Sequence, residues 1–256
     1  MPTTNELTDM PRKDLHIFYI LDTSGSMEGA KISALNHAMD ETIEALRTLA
    51  KQNGDARLKI AVLSFNTGAE WVTKNGPEYL EEHFEYEYLE AGGLTAMGAA
   101  LNELNAKLSQ REFLGSLMGA LMPVMIFMTD GYATDNYEEA LEAIRKNRWF
   151  ARGTKIGFAL GEDPDVKMIA SVVGDSEAVI RVTDNELFKR LMRFVSVTSS
   201  MVRSQSVTAD NAPSGADILK QVDGIPDDAK VNLDKSDYNP EPPAPPENDD
   251  WGDDTW

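Results

Sequence analysis

Three uninterrupted apolar runs, Ile17 to Leu21, Val124 to Met128 and Ile156 to Leu160, constrain the fold of this chain more than any other feature. A strand with one wetted face alternates apolar and polar residues. An unbroken run of five is buried on both faces, as in a strand inside a parallel sheet. Segments of helical spacing lie between these runs. Lys31 to Leu49 sets Ile32, Leu35, Met39, Ile43 and Leu46 on one stripe, and Thr95 to Leu108, Tyr137 to Phe150, Asp165 to Val173 and Leu187 to Val202 read as further helices. Leu58 to Phe65 and Ala178 to Val182 read as strands, with Trp71 and Val72 as a hairpin partner to the first after a turn at Thr67 and Gly68. Glu81 to Glu90 alternates acids with Phe84, Tyr86 and Tyr88, the pattern of an edge strand. Strands alternating with helices predict an α/β fold: a doubly wound, mostly parallel sheet with helices on both faces and one antiparallel edge strand. In such folds the ligand sits beyond the carboxyl ends of the strands.

Charge divides the chain. The whole carries a formal net charge of −19, and residues 207–256 hold 13 acids, 3 bases and seven of the twelve prolines. That composition predicts a largely disordered acidic tail over 207–256, in which the short stretch Ile218 to Ile225 has enough apolar residues to dock or form a helical turn, after an N-terminal extension at 1–13 and a globular domain at 14–206. Such acidity disfavours nucleic acid and anionic membrane surfaces as partners. With no cysteine there is no disulfide, thiolate metal site or thiol nucleophile. Any metal must be held by oxygen or by the three histidines, and His16, His37 and His83 are never paired at ligand spacing. Met1 to Arg12 shows no targeting pattern, and the uncharged stretch Phe113 to Thr129 is too short to span a bilayer and is broken by Gly115, Gly119 and Pro123. A cytoplasmic location is the expectation.

Three loops at strand ends carry oxygen ligands: Asp22-Thr23-Ser24-Gly25-Ser26, Gly92-Gly93-Leu94-Thr95, and Thr129-Asp130-Gly131. Each piece alone has an ordinary use as a turn or helix cap. Together, the carboxylates of Asp22 and Asp130 and the hydroxyls of Ser24, Ser26 and Thr95 suit a hard octahedral cation, Mg²⁺ first, with Mn²⁺ or Ca²⁺ as alternatives.

Asp22-x-Ser24-x-Ser26, Thr95, and Asp130 followed by Gly131 resemble the metal-ion-dependent adhesion site of von Willebrand factor A domains in all five positions. The phrases Phe18 to Met27, Pro123 to Gly131 and Phe194 to Ser200 are similar to the bacterial tellurite-resistance, TerY-type branch of that family. The resemblance implies that Ser24, Ser26 and Thr95 meet the metal directly or nearly so, that Asp22 and Asp130 act mainly through waters, and that a partner protein's Asp or Glu fills the sixth position. It also implies a non-enzymatic binding module in a bacterial stress or defence system, with a Ser/Thr kinase and a PP2C-type phosphatase, or an AAA-type ATPase, as partners. A cation backed by water-separated carboxylates keeps its charge toward solvent, so an incoming carboxylate becomes a strong ligand. The alternative is a Mg²⁺-dependent phosphohydrolase or phosphotransferase with Asp22 as nucleophile. In the tail, Trp251, Asp253, Asp254 and Trp256 form a candidate second interaction motif of aromatic anchors among acids.

Overall fold

The computed structural model describes residues 12–73, 78–80, 84–109, 120–205 and 213–238. Strand β1 (Lys13–Asp22) lies at the centre of a seven-stranded sheet with β2 (Ala56–Phe65), β3 (Ala69–Trp71), β4 (Glu78–Tyr79), β5 (Val124–Thr129), β6 (Thr154–Leu160) and β7 (Val179–Val182). The order is β3-β2-β1-β5-β6-β7. β1 runs parallel to both β2 and β5, and β5–β6 and β6–β7 are parallel as well. The hairpin strand β3 and the two-residue β4 both pair antiparallel to β2, where one antiparallel strand was expected.

The apolar runs are explained by burial on both faces. Leu15, Ile17, Tyr19 and Leu21 of β1 point to one face, against Leu35, Met39, Ile43 and Leu46 of α1 (Ala30–Gln52) and Leu191, Met192 and Val195 of α6 (Asn185–Gln205). Phe18 and Ile20 point to the other, against α2 (Met97–Leu108), α3 (Tyr137–Arg145), α4 (Arg148–Arg152) and α5 (Val166–Val173). The buried Tyr19 hydroxyl, 2.9 Å from Ser196 Oγ, gives the α6–β1 contact a polar anchor. No helix among the described residues is long and apolar enough to cross a membrane.

Three expectations are corrected. The helix read over Tyr137 to Phe150 is two helices, because Asn147 breaks the first and caps the second by accepting from the Trp149 amide at 3.0 Å. Residues 84–90 form no strand: Asn36 of α1 donates to the Leu89 carbonyl and accepts from the Leu89 amide, both at 2.9 Å, in place of a ladder.

The third concerns the tail, because residues 213–238 are folded, well beyond the docked turn expected at Ile218 to Ile225. Helices α7 (Gly215–Leu219) and α8 (Lys235–Tyr238) pack at the β6–β7 side, burying Ala216, Ile218, Leu219, Val222, Ala229 and Tyr238. Lys230 adds an antiparallel bridge to Ile180 on the edge strand, and Ser214 and Asp217 form a reciprocal capping box. Burying side chains the size of Ile218 and Leu219 contributes about 1.5–3 kcal/mol each, enough to hold a segment whose average composition reads as tail. The proposed motif at Trp251, Asp253, Asp254 and Trp256 lies outside the described residues.

Candidate metal centre

β1 has its sequence neighbour β2 on one side and the later β5 on the other, so the winding changes direction between β1 and β5. The carboxyl ends of those two strands carry Asp22 and, one residue beyond Thr129, Asp130. The loops are laced together by backbone: the Gly25 amide donates to the Gly93 carbonyl at 3.0 Å, and the Gly92 amide to the Thr23 carbonyl at 2.8 Å. A side chain at Gly93 would be excluded twice over, since its φ is +83° and a Cβ would lie 2.5 Å from Thr67 Oγ1.

Both carboxylates are engaged through both oxygens. Asp22 Oδ1 accepts from the Ser24 amide at 2.8 Å, and Oδ2 accepts from the Thr129 hydroxyl. Asp130 Oδ1 accepts from the Ser26 hydroxyl at 2.7 Å, and Oδ2 accepts from the Lys31 ammonium. Asp22 is fully buried, and desolvation holds its carboxyl above the usual range even though hydrogen bonds from Thr129 and Ser24 oppose the shift.

The hydroxyls are arranged differently. Ser24 Oγ and Ser26 Oγ are hydrogen-bonded at 3.0 Å, and because the Ser26 hydroxyl proton goes to Asp130, Ser24 is the donor. Both oxygens keep a lone pair for a cation, whose cis ligands at bonds of about 2.1 Å would likewise stand about 3.0 Å apart. Thr95 was open to reading as a helix cap, yet α2 starts at Met97 without a side-chain cap, and Thr95 Oγ1 has no hydrogen-bond partner among the described residues. The amides of Gly98 and Ala99 instead donate to Asp135, both at 3.0 Å. Thr95 is positioned through its backbone, its amide donating to Thr134 Oγ1 at 3.1 Å and its carbonyl accepting from the Thr134 amide at 2.9 Å. A Cβ built on Gly131 would lie 3.5 Å from both Ser26 Oγ and Thr95 Oγ1. The two hydroxyls thus border one open space beside Gly131, which a methyl would enter at ordinary contact distance.

The five residues singled out in the sequence are therefore brought to one place. No group of three or more His, Asp or Glu side chains that could hold a metal occurs among the described residues, so the hydroxyls must supply part of any ligand set here. Two members went unread, Thr129 and Lys31. Lys31 had a signal, being a cation in the first turn of a helix, where the macrodipole disfavours it.

The sequence profile of the von Willebrand factor type A domain matches residues 16–193. The chain belongs to that family. Among solved structures, it is similar to a von Willebrand factor type A protein from Catenulispora acidiphila (20% identity, TM-score 0.54, covering 73% of this chain and 42% of that one). It is also similar to the PilB minor pilin of Streptococcus sanguinis (13%, 0.55, 83% and 65%). A third is proximal thread matrix protein 1 from the mussel byssus, in a structure whose metal-ion-dependent adhesion motif is occupied by zinc (15%, 0.53, 73% and 46%). The chain thus spans less than half the length of the first and third. At these identities the likeness is one of fold. A search of curated proteins returns no match.

Proposed function

We propose that this von Willebrand factor type A domain is a metal-dependent protein-binding module, in which Ser24, Ser26 and Thr95 hold a divalent cation and Asp22 and Asp130 stand behind them. One observation carries the reading: all four carboxylate oxygens accept from protein donors, whereas the Thr95 hydroxyl has no partner among the described residues and faces the hydrogen-bonded serine pair across the same space. Bound there, the cation supplies a Lewis-acidic position for a partner's Asp or Glu. An all-oxygen donor set of hydroxyls and carboxylates suits a hard cation such as Mg²⁺ or Mn²⁺. The zinc-occupied motif of the mussel protein supports a metal in a site of this kind.

The burial of Asp22 speaks against the phosphohydrolase alternative. A nucleophile must reach its substrate, and this carboxylate is fully buried with both oxygens hydrogen-bonded. Phosphatase turnover that is Mg²⁺-dependent and lost in Asp22→Asn would overturn the binding reading.

The bacterial stress-response setting, the kinase, phosphatase or AAA-type partners and a cytoplasmic location rest on the sequence phrases shared with the TerY-type branch and on the chain's composition. The experiment is a pull-down in Mg²⁺ and in EDTA with wild type and an Asp22→Ala/Ser24→Ala variant. Partners retained equally under all conditions would refute metal dependence. Trp251, Asp253, Asp254 and Trp256 are proposed as a second, metal-independent contact. Removing residues 239–256, which spares the folded 213–238 segment, is expected to weaken capture in EDTA as well as in Mg²⁺.

A further inference from the structure

We propose that Lys31 is a built-in counter-cation that keeps Asp130 out of the inner coordination shell and leaves the loaded site with a positive charge for an incoming carboxylate. The inference rests on the metal-binding reading above and goes beyond it by assigning the site's charge balance to a residue outside the five-residue motif.

Lys31 lies in the first turn of α1, after an N-cap, Gly29, that offers no side chain and in a turn that carries no acid. The positive end of a helix disfavours a cation, so something specific must offset that placement. The partner is Asp130. The Lys31 ammonium pairs with Asp130 Oδ2 and donates to the Ser26 carbonyl at 3.3 Å, while the stem runs beside Gly161, where a Cβ would lie 3.5 Å from both Cε and Nζ. The side chain of Asp130 is fully buried and that of Lys31 is 38% exposed, so the cation reaches the carboxylate from the solvent side. Among the described residues it is the cation that forms an ion pair with either carboxylate of the site.

The consequence follows from charge. Two carboxylates and a dication sum to zero, a neutral site with little pull on an anion. Adding the ammonium gives +1. The same contact engages the Asp130 oxygen that Ser26 does not, so moving that oxygen into the inner shell in place of a metal-bound water would cost the ion pair. Lys31 thereby weakens the metal's hold and strengthens the site's hold on a carboxylate, the trade a receptor requires.

The test is Mn²⁺ titration of the full chain by electron paramagnetic resonance, with water proton relaxation reporting inner-shell waters, in wild type, Lys31→Met and Lys31→Arg. Removing a unit charge a few ångströms from the ion should tighten Mn²⁺ binding in Lys31→Met by about tenfold or more. Relaxivity should fall as Asp130 replaces a water. Acetate, the simplest carboxylate probe, should displace water from the wild-type ion at lower concentration than from the Lys31→Met ion. Lys31→Arg should behave as wild type in all three. A structural ion pair would not change relaxivity in this way. Wild type and a folded Lys31→Met binding Mn²⁺ with equal affinity and relaxivity would refute the role of Lys31 while leaving the metal site intact. Failure of both to bind Mn²⁺ would refute the site and this inference with it.

Discussion

Replacing Thr129 by valine removes one hydroxyl and keeps the shape of a β-branched residue at the buried end of β5. That hydroxyl donates to Asp22 Oδ2 and accepts from the Gly131 amide at 3.2 Å. In the variant a buried carboxylate oxygen loses its only donor among the described residues. A hydrogen bond to a charged group contributes about 1.5–3 kcal/mol, and the lost acceptor for Gly131 adds about 1 kcal/mol. Without divalent metal the domain should therefore lose roughly 2.5–4 kcal/mol, a fall in Tm of about 5–15 °C for a domain of this size. Thermal unfolding in EDTA measures it, and Thr129→Ser, which keeps the hydroxyl and loses only the methyl, separates hydrogen bonding from packing. Thr129→Val unfolding within about 2 °C of wild type while Thr129→Ser falls further would refute the assignment of Thr129 as the group that holds Asp22.

Three further outcomes are expected. Gly131→Ala should fold normally, since its contacts at 3.5 Å are ordinary, yet bind Mg²⁺ at least tenfold more weakly because the methyl enters the space between Ser26 and Thr95; unchanged affinity in calorimetry would place the ion elsewhere. Gly215→Ala puts a Cβ 2.0 Å from the Lys155 carbonyl oxygen, so α7 should lift from the sheet and trypsin should cut at Lys220 or Lys230 in the native protein, as it should not in wild type. His16 is buried, and desolvation lowers its pKa from 6.5 to about 4. The unfolded chain protonates first as pH falls, so stability should decline between about pH 6.5 and 4, by about 3 kcal/mol, and His16→Leu should flatten that part of the urea-denaturation profile.

What the sequence made legible was what burial writes into consecutive residues. β1, β5 and β6 are continuous apolar runs because both their faces are covered, and α1 shows its stripe because only one side meets the sheet. Residues 84–90 misled because an alternating pattern records only which side chains face the protein, and here Asn36, distant in sequence, supplies the hydrogen bonds. The folded 213–238 segment showed only at Ile218 to Ile225, because its other buried side chains are scattered among prolines and acids. In the site, the residues with oxygen side chains in the loop motifs could be found by chemistry and spacing. Thr129 and Lys31 could not be found that way, because their roles come from packing: one points back from a strand end onto Asp22, and the other crosses from a neighbouring helix to Asp130.

The most direct test of a cation held by hydroxyls in front of two buried carboxylates is calorimetric titration of Mg²⁺ into wild type and a Ser24→Ala/Ser26→Ala variant. Wild type should take up one ion, and losing both serine oxygens should abolish that binding with the fold retained. Equal Mg²⁺ binding by the two proteins would contradict the account at its centre.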